Sequence, residues 1–551
     1  MIPQVLQDAW IEMGITGDER SLCATAWALA CDGHLADVSR AERDLIEVAS
    51  PSPRTDALKD LAAAIRAGDD PLGATFASLR SAAQRRRHGA TYTPAAIVGP
   101  MAEWLANHKR AERVVDPGAG SGRFLCAVGR HVPDAQLVAV EIDPLAALTV
   151  RANLTVLGFD ERSEMHVGDY RALDLSPATG PTAFIGNPPY VRHHDIDPAW
   201  KAWLRKRAAG LGLKASALAG MHVHFLLATA HLARAGDFGA FVTSSEWLDV
   251  GYGQLARDLV AGPLGGLSLH VIDARTQVFA DAATTATVTA FEVGEPQRPI
   301  RIRRINRLEE LRGLAGGKSF SREELRREPR WSALLVPQAS NPRGFVALGD
   351  FCRVHRGTAT GANATWVTSQ DDPQLPATVL YPTVTKALEL FATASGVLTD
   401  SSDLRAVVSL PEDLDFLDST DRELVERFLE VARRAGVADG YIARHRKSWW
   451  SVKLRSPAPI LATYMARRPP AFVRNLVKAH NLNNVHGIYP AASLSETALC
   501  NLTKALRDHA TLSGGRTYAG GLTKFEPSEM ERIMVPPPAW LESDEPWPSI
   551  A

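Results

Sequence analysis

Asn187-Pro188-Pro189-Tyr190 follows the apolar run Ala183-Phe184-Ile185-Gly186, so a strand ends in an amide, two imides and an aromatic ring. Consecutive prolines hold φ at about −65° and carry no N–H, which leaves the Pro188 carbonyl turned outward to accept a hydrogen bond from a ligand. Asn187 sets a second acceptor beside it. An exocyclic NH2 held by two acceptors has its lone pair directed to the free face, and Tyr190 can stack on the ring that carries it. The chemistry suited to these four residues is activation of a planar amine. Asn-Pro and Pro-Pro pairs also punctuate ordinary turns, so the neighbouring motifs must decide.

Upstream, Val114-Val115-Asp116-Pro117-Gly118-Ala119-Gly120-Ser121-Gly122-Arg123-Phe124-Leu125 reads as a short buried strand, a loop with three glycines and the start of a helix. Glycines there let a ligand approach the backbone, a pattern shared with dinucleotide binders and many tight turns. Gln136-Leu137-Val138-Ala139-Val140-Glu141-Ile142-Asp143 reads as the next buried strand and brings in Glu141, twenty-five residues after Asp116. An acid at the tip of the second strand of a βαβ unit is placed to hold a ribose diol. Met165-His166-Val167-Gly168-Asp169-Tyr170 ends a third strand in a further acid. Four successive strands thus deliver polar residues to the carboxyl edge, where open α/β sheets bind ligands.

The series resembles the S-adenosylmethionine-dependent DNA amino-methyltransferases of N6-adenine type, including the type II modification methylases. Its order is that called gamma: cofactor motifs, catalytic motif, target-recognition region. The element that opens that order is present as Gly89-Ala90-Thr91-Tyr92-Thr93-Pro94, leading into a helix through Trp104. The resemblance implies that Tyr92 and Thr93 lie at the methionine end of the cofactor, Thr93 also capping the helix. The loop of Asp116, Gly118, Gly120 and Gly122 would wrap the methionine moiety. Glu141 would take the ribose hydroxyls, Asp169 the adenine amine, and Ile142 and Tyr170 the two faces of the adenine ring. Asn187 would face both cofactor and target. The family commonly shows Asp-Pro-Ala-Cys-Gly-Ser-Gly-x-Phe in the loop, against Asp116-Pro117-Gly118-Ala119-Gly120-Ser121-Gly122-Arg123-Phe124 here. Gly236 to Trp247 and Ile272 to Phe279 resemble the next two family segments. In the second of these, Phe279 would meet the flipped base opposite Tyr190; its other reading is an ordinary core aromatic. The resemblance is strong over residues 85–295 and weak elsewhere.

The implied chemistry is methyl transfer to a target base swung out of a duplex, at a few kcal/mol of unstacking. Asn187, Pro188, Pro189, Tyr190 and Phe279 are its expected catalytic residues, acting by proximity and oriented acceptors with no covalent enzyme intermediate.

Composition constrains the partner. The 551 residues carry 61 basic and 62 acidic side chains, a formal charge of −1, so a footprint on double-stranded DNA must be local. Candidate patches are Arg85-Arg86-Arg87-His88, Arg205-Lys206-Arg207, Arg301 with Arg303 and Arg304, and Arg444-His445-Arg446-Lys447 beside Trp449-Trp450. Each taken alone also fits a solvated surface. Five scattered cysteines argue against a disulfide framework or a structural zinc site and for a reducing cytoplasm. His193-His194 and His222, His224 lack the matched Cys or carboxylate spacing of a metal site. No apolar run reaches the ~20 residues of a membrane span.

The expected fold is α/β, a Rossmann-like class I methyltransferase domain with a helical N-terminal prefix and a mixed α+β C-terminal target-recognition domain. The expected boundaries are 1–84 for the prefix, 85–295 for the catalytic domain, 296–340 for a charged connector and 341–551 for recognition of the DNA sequence. In that last region Phe345 to Asn363, Tyr441 to Trp450, Arg467-Arg468-Pro469-Pro470, Asn481 to Gly487 and Tyr518 to Pro527 resemble family recognition segments, whereas the acidic stretch Pro411 to Glu426 is a poor DNA face. A monomer is expected, with a separate restriction endonuclease or defence component as a candidate partner. N4-cytosine, RNA and protein-glutamine methylation stay open, as does a DNA-binding defence component that needs a partner. Asn at position 187 points to adenine, and the chain length disfavours the glutamine enzymes. The prefix lacks the carboxylate and lysine cluster of a fused nuclease.

Overall fold

The computed structural model describes residues 17–30, 38–49, 55–80, 93–273, 276, 285–294, 298–335, 343–518 and 522–543. The chain divides into two units, Met1–Leu335 and Val336–Ala551.

The first unit is built on a nine-stranded sheet of β1 (Arg113–Asp116), β2 (Gln136–Glu141), β3 (Ser163–Val167), β4 (Thr182–Gly186), β5 (Phe238–Ser244), β6 (Gly266–Ile272), β7 (Ala286–Glu292), β8 (Ile300–Ile305) and β9 (Lys318–Phe320), in the order β3-β2-β1-β4-β5-β7-β6-β8-β9. The first five strands pair in parallel, and β7 runs antiparallel between β5 and β6. This is the expected Rossmann-like class. Strands covered on both faces read as continuous apolar runs, and the alternation sorts them. Val114, Ala183 and Ile185 enter the core on one side, Val115, Phe184 and Phe241 the core on the other. The strand order reverses between β1 and β4, which opens a crevice at their carboxyl ends.

The stretch expected as a connector continues the sheet. β8 pairs with β6 and β9 with β8, so residues 300–320 belong to the first unit. Ile300, Ile302 and Ile305 are buried while Arg301 and Arg304 are exposed. That alternation is the signature of a strand covered on one face.

Ahead of the sheet lie α1 (Glu19–Ala30), α2 (Arg40–Glu47), α3 (Thr55–Ala67) and α4 (Pro71–Leu79). Leu22, Leu29, Leu61, Ile65 and Leu72 pack with Leu145, Leu148 and Ala152 of α7 (Pro144–Val156), the helix after β2. The other helices of interest are α5 (Ala95–His108), α6 (Arg123–Gly129), α8 (Pro198–Gly210) and α9 (Met221–Leu232). The Glu42 carboxylate, fully buried, takes the Arg151 guanidinium of α7 at 2.7 Å. Burying both charges is tolerable because they are paired and the same carboxylate closes the capping box of α2.

The second unit is mixed α+β. It contains a five-stranded sheet of Cys352–Arg356, Val485–Pro490, Ile460–Thr463, Phe472–Asn475 and Val397–Leu398, with smaller sheets of four, three and two strands. The helix Glu496–His509 buries Ala498, Leu502 and Leu506. The charged helix Ser419–Arg434 buries only Val425, Leu429 and Ala432, consistent with a solvated outer face. Among the described residues no helix is long and apolar enough to cross a membrane.

Candidate active site

Asp116, Glu141, Asp169 and Asn187 sit at or just past the carboxyl ends of β1, β2, β3 and β4, and these four strands are neighbours. Asp116 is fully buried, and its Oδ2 has no hydrogen-bond partner among the described residues. The Gly118 N–H donates to its other oxygen at 3.3 Å. Burial, and secondarily the Glu141 charge, push the Asp116 carboxyl up to about 8 despite that amide.

Glu141 accepts from the Gly120 N–H at 2.8 Å and the Asp143 N–H at 2.9 Å, which clamps the glycine loop onto the tip of β2. Burial lifts its carboxyl to about 7 against the pull of those amides. Gly120 and Gly122 have φ of +57° and +85°, the left-handed region where glycine carries no penalty. A Cβ on Gly118 would touch Phe225 and Pro189, each at 3.7 Å, so the glycine loop abuts both α9 and the Asn-Pro-Pro-Tyr loop. Ile142, next to Glu141, is 57% exposed, a large apolar side chain left open at the sheet edge. An orphaned buried carboxylate oxygen, an open glycine loop and an exposed apolar face fit a ligand that combines cationic and ring moieties.

Thr93 is buried and accepts the Asn187 Nδ2–H at its hydroxyl, 3.0 Å away. It does not cap α5, whose N-cap is Pro94 with no side-chain hydrogen bond. The hydroxyl is engaged by the Asn-Pro-Pro-Tyr loop instead. That contact orients the amide with Oδ1 as its acceptor end. Pro188 is buried, and Tyr190 packs half-buried against the core on the α5 face, its phenol pKa raised by burial.

Two expected positions behave differently. Tyr170 is 1% exposed; its hydroxyl shares a hydrogen bond of 2.9 Å with Thr229, and its ring lies 5.2 Å from Phe225. It is enclosed in the core rather than offered as an adenine face, because α9 covers it. Asp169 is held by Arg171, whose Nε and main-chain N–H donate to Oδ1 at 2.9 Å and whose Nη2 donates to Oδ2 at 2.6 Å. The Arg171 guanidinium in turn lies 3.9 Å over the Trp200 ring of α8. Asp169 therefore reaches the crevice as half of an ion pair. Tyr92 and Phe279 lie outside the described residues.

Phe225 and Asp70 were not singled out by sequence. Phe225 sits in the apolar run of α9, where nothing separates it from core residues. Asp70 is the second of two aspartates before a proline, legible as a helix cap but not as a neighbour of Ser121. His222 and His224 are buried in α9, and burial lowers them to about 4 and about 3, so both are neutral imidazoles at neutral pH. Among the described residues no cluster of three or more His, Cys, Asp or Glu side chains could hold a metal.

Residues 74–243 match the N-6 DNA Methylase family, and residues 332–548 match the C-terminal domain of Type II methyltransferase M.Eco57I. Over 450 residues the chain is 50% identical to Type II methyltransferase M.XamI of Xanthomonas campestris pv. amaranthicola, covering 82% of this chain and 85% of that protein. The chain belongs to the Type II methyltransferases of the N-6 DNA methylase family. It is 24% identical over 473 residues to Type II methyltransferase M.AccI of Acinetobacter calcoaceticus, covering 82% and 86% of the two chains. Release factor glutamine methyltransferase of Rhodospirillum rubrum matches over only 84 residues, 15% of this chain, at 33% identity. In fold the chain is similar to the Type IIL restriction-modification enzyme MmeI, solved in complex with DNA, with a TM-score of 0.57, 14% identity and coverage of 95% and 81% of the two chains. This Type II methyltransferase is thus a DNA modification methylase, and S-adenosylmethionine is its methyl donor.

Proposed function

We propose that this Type II methyltransferase transfers a methyl group from S-adenosylmethionine to N6 of an adenine flipped out of double-stranded DNA, at a specific sequence. It would act as the modification half of a bacterial restriction-modification or related defence system in the cytoplasm. The observation that supports this reading best is the Asn187–Thr93 hydrogen bond of 3.0 Å. It leaves Oδ1 as the acceptor end of the amide, on the loop that lies beside the glycine loop at the strand-order reversal.

The residues present fit the donor. Asp116, the glycine loop, Glu141 and Ile142 would hold it, and it supplies an electrophilic methyl on a sulfonium. The remaining chemistry belongs to the chain. Asn187 Oδ1 and the Pro188 carbonyl accept the two N6 hydrogens, which localises the nitrogen lone pair on the face toward the donor. Tyr190 holds the base plane by stacking. The gain is proximity and preorganised acceptors, worth several kcal/mol in a closed site. Once methylated, the nitrogen is acidic enough to lose its proton without a dedicated strong base.

The second unit would supply sequence recognition, since Arg, Lys, Asn and Gln in its loops suit base edges in the major groove. The test is expression in a host free of adenine methylation, followed by sequencing that detects modified bases. N6-methyladenine in one short motif is the expected result. N4-methylcytosine in that motif, or unmodified DNA from soluble protein, would overturn the adenine assignment.

A further inference from the structure

We propose that the helical segment ahead of the sheet is a working part of the cofactor site, with Asp70 as a positioning residue for the glycine loop and, through Arg123 and Thr93, for Asn187. The link to Asn187 rests on the function proposed above.

Asp70 precedes α4 and caps it, accepting the Gly73 N–H at Oδ1, 2.9 Å away. Capping uses only part of the carboxylate. Its Oδ2 accepts the Ser121 hydroxyl at 2.6 Å and the Arg123 Nε–H at 2.8 Å, and Oδ1 also takes the Asn153 amide of α7 at 3.3 Å. Ser121 and Arg123 bracket Gly122, the left-handed residue that ends the loop and starts α6. One buried carboxylate from the prefix therefore holds both sides of the turn that must meet the donor. Asn153 ties the loop a second time, donating to the Ser121 carbonyl at 2.8 Å.

The contact is built, not incidental. A Cβ on Gly73 would lie 2.3 Å from Ser121 Oγ and 2.2 Å from Asp70 Oδ2, so only glycine lets α4 come this close to the loop. The chain of contacts then continues. Arg123 Nη1 donates to the Thr93 carbonyl at 2.5 Å, and the Thr93 hydroxyl accepts from Asn187 at 3.0 Å. Asp70, Arg123, Thr93 and Asn187 form one hydrogen-bonded path from the prefix to the catalytic loop. An ordinary packing appendage would need no charged group at the loop. Here the prefix has its own attachment elsewhere, in the Glu42–Arg151 pair and its apolar face on α7.

The test uses the full chain and two readouts. S-adenosylmethionine binding is measured by calorimetry without DNA, and kcat is measured at saturating donor and DNA. Asp70→Asn keeps a capping side chain of equal quality and removes the charge that holds Arg123. It is expected to raise the donor Kd about tenfold and to lower kcat as well, since hydrogen bonds to charged groups carry that much. Arg123→Gln leaves the cap of α4 untouched and should give the same pair of losses. The double variant should cost little beyond the larger single effect, because the two residues share one contact. Glu42→Gln, remote from the loop, controls for stability: it should lower Tm and leave donor affinity within about twofold. Donor affinity unchanged in Asp70→Asn, or weakened equally by Glu42→Gln, overturns the proposal. Donor binding in the absence of DNA does not depend on the role of Asn187, so a failure of the proposed chemistry would show separately, as full turnover in Asn187→Ala.

Discussion

The Thr93 hydroxyl and the Asn187 side-chain amide meet at 3.0 Å, with the amide NH2 donating to the hydroxyl. Asn187 could otherwise present either its oxygen or its nitrogen to a substrate amine. With Nδ2 spent on Thr93, the oxygen is the acceptor, which is the polarity that amine activation needs. Two segments separated by more than ninety residues are thereby joined at the carboxyl end of β4.

Removing either partner should separate chemistry from binding. Asn187→Ala is expected to retain donor affinity and lose about 10²–10³ in kcat, the usual cost of one preorganised polar group. Thr93→Ala should lose less, about tenfold, because the amide remains but can rotate, while Thr93→Ser restores the hydroxyl and most of the rate. Single-turnover kinetics on duplex DNA, with donor binding measured in parallel, would show this. Full turnover in Asn187→Ala would sink the chemistry.

Gly186 offers a sharper steric probe. A Cβ there would lie 2.6 Å from Asp116 Oδ1 and 3.1 Å from Pro117 Cδ. Gly186→Ala must therefore push β1's acid and the Asn-Pro-Pro-Tyr loop apart. Loss of donor affinity and of kcat together is the expected outcome, in contrast to Asn187→Ala. An unchanged donor Kd would mean that Asp116 is remote from the donor.

Much of this site was legible in sequence for a physical reason. A parallel strand buried on both faces announces itself as an apolar run, and the polar residue that breaks the run marks the carboxyl edge. Val114 to Asp116, Leu137 to Glu141 and Ala183 to Asn187 all obey that rule. What such runs do not reveal is lateral packing. Tyr170 follows a strand-ending acid as expected, but only the position of α9 decides that its ring is enclosed. Arg171 on Asp169 is a contact between near neighbours that no periodicity requires. The segment 300–320 looked like a charged connector because arginines outnumber isoleucines there, although the alternation of Ile300, Arg301, Ile302 and Arg303 is that of a strand. The Asp70–Ser121 contact spans 51 residues and leaves no local trace.

The buried carboxyls should make donor binding pH-dependent. Asp116 and Glu141 rise from 3.8 and 4.5 to about 8 and about 7, chiefly through burial. In the unliganded fold they hold protons that the unfolded chain has already released. Unliganded stability therefore falls as pH climbs from about 4 through about 7 and about 8. The donor is cationic at its sulfonium and amino groups, which favours the ionised carboxylates. Binding should release protons, and affinity should rise as pH passes through about 7 and about 8. Calorimetry in buffers of different ionisation enthalpy counts those protons. Proton uptake would contradict the assignment of these acids to the donor site.

DNA contact by the first unit can be read from which cations lack acidic partners. Arg444 pairs with Asp439, Lys447 with Glu412, and Arg446 is tied to the Ala359 and Thr360 carbonyls, so the basic stretch of the second unit is partly neutralised within itself. Arg205, Lys206 and Arg207 on α8 are exposed, and no acidic side chain among the described residues pairs with them. They lie on the helix that follows the Asn-Pro-Pro-Tyr loop, where the function proposed above would bring the duplex. Replacing all three by Ala should weaken DNA binding uniformly across sequences and leave the methylated motif unchanged. The slope of log K against log salt should flatten by about 0.9 for each phosphate that is no longer neutralised. Fluorescence anisotropy with a duplex containing the motif, across a salt series, measures this. A slope identical to that of the unaltered enzyme would move the phosphate-binding cations off α8 and onto other patches.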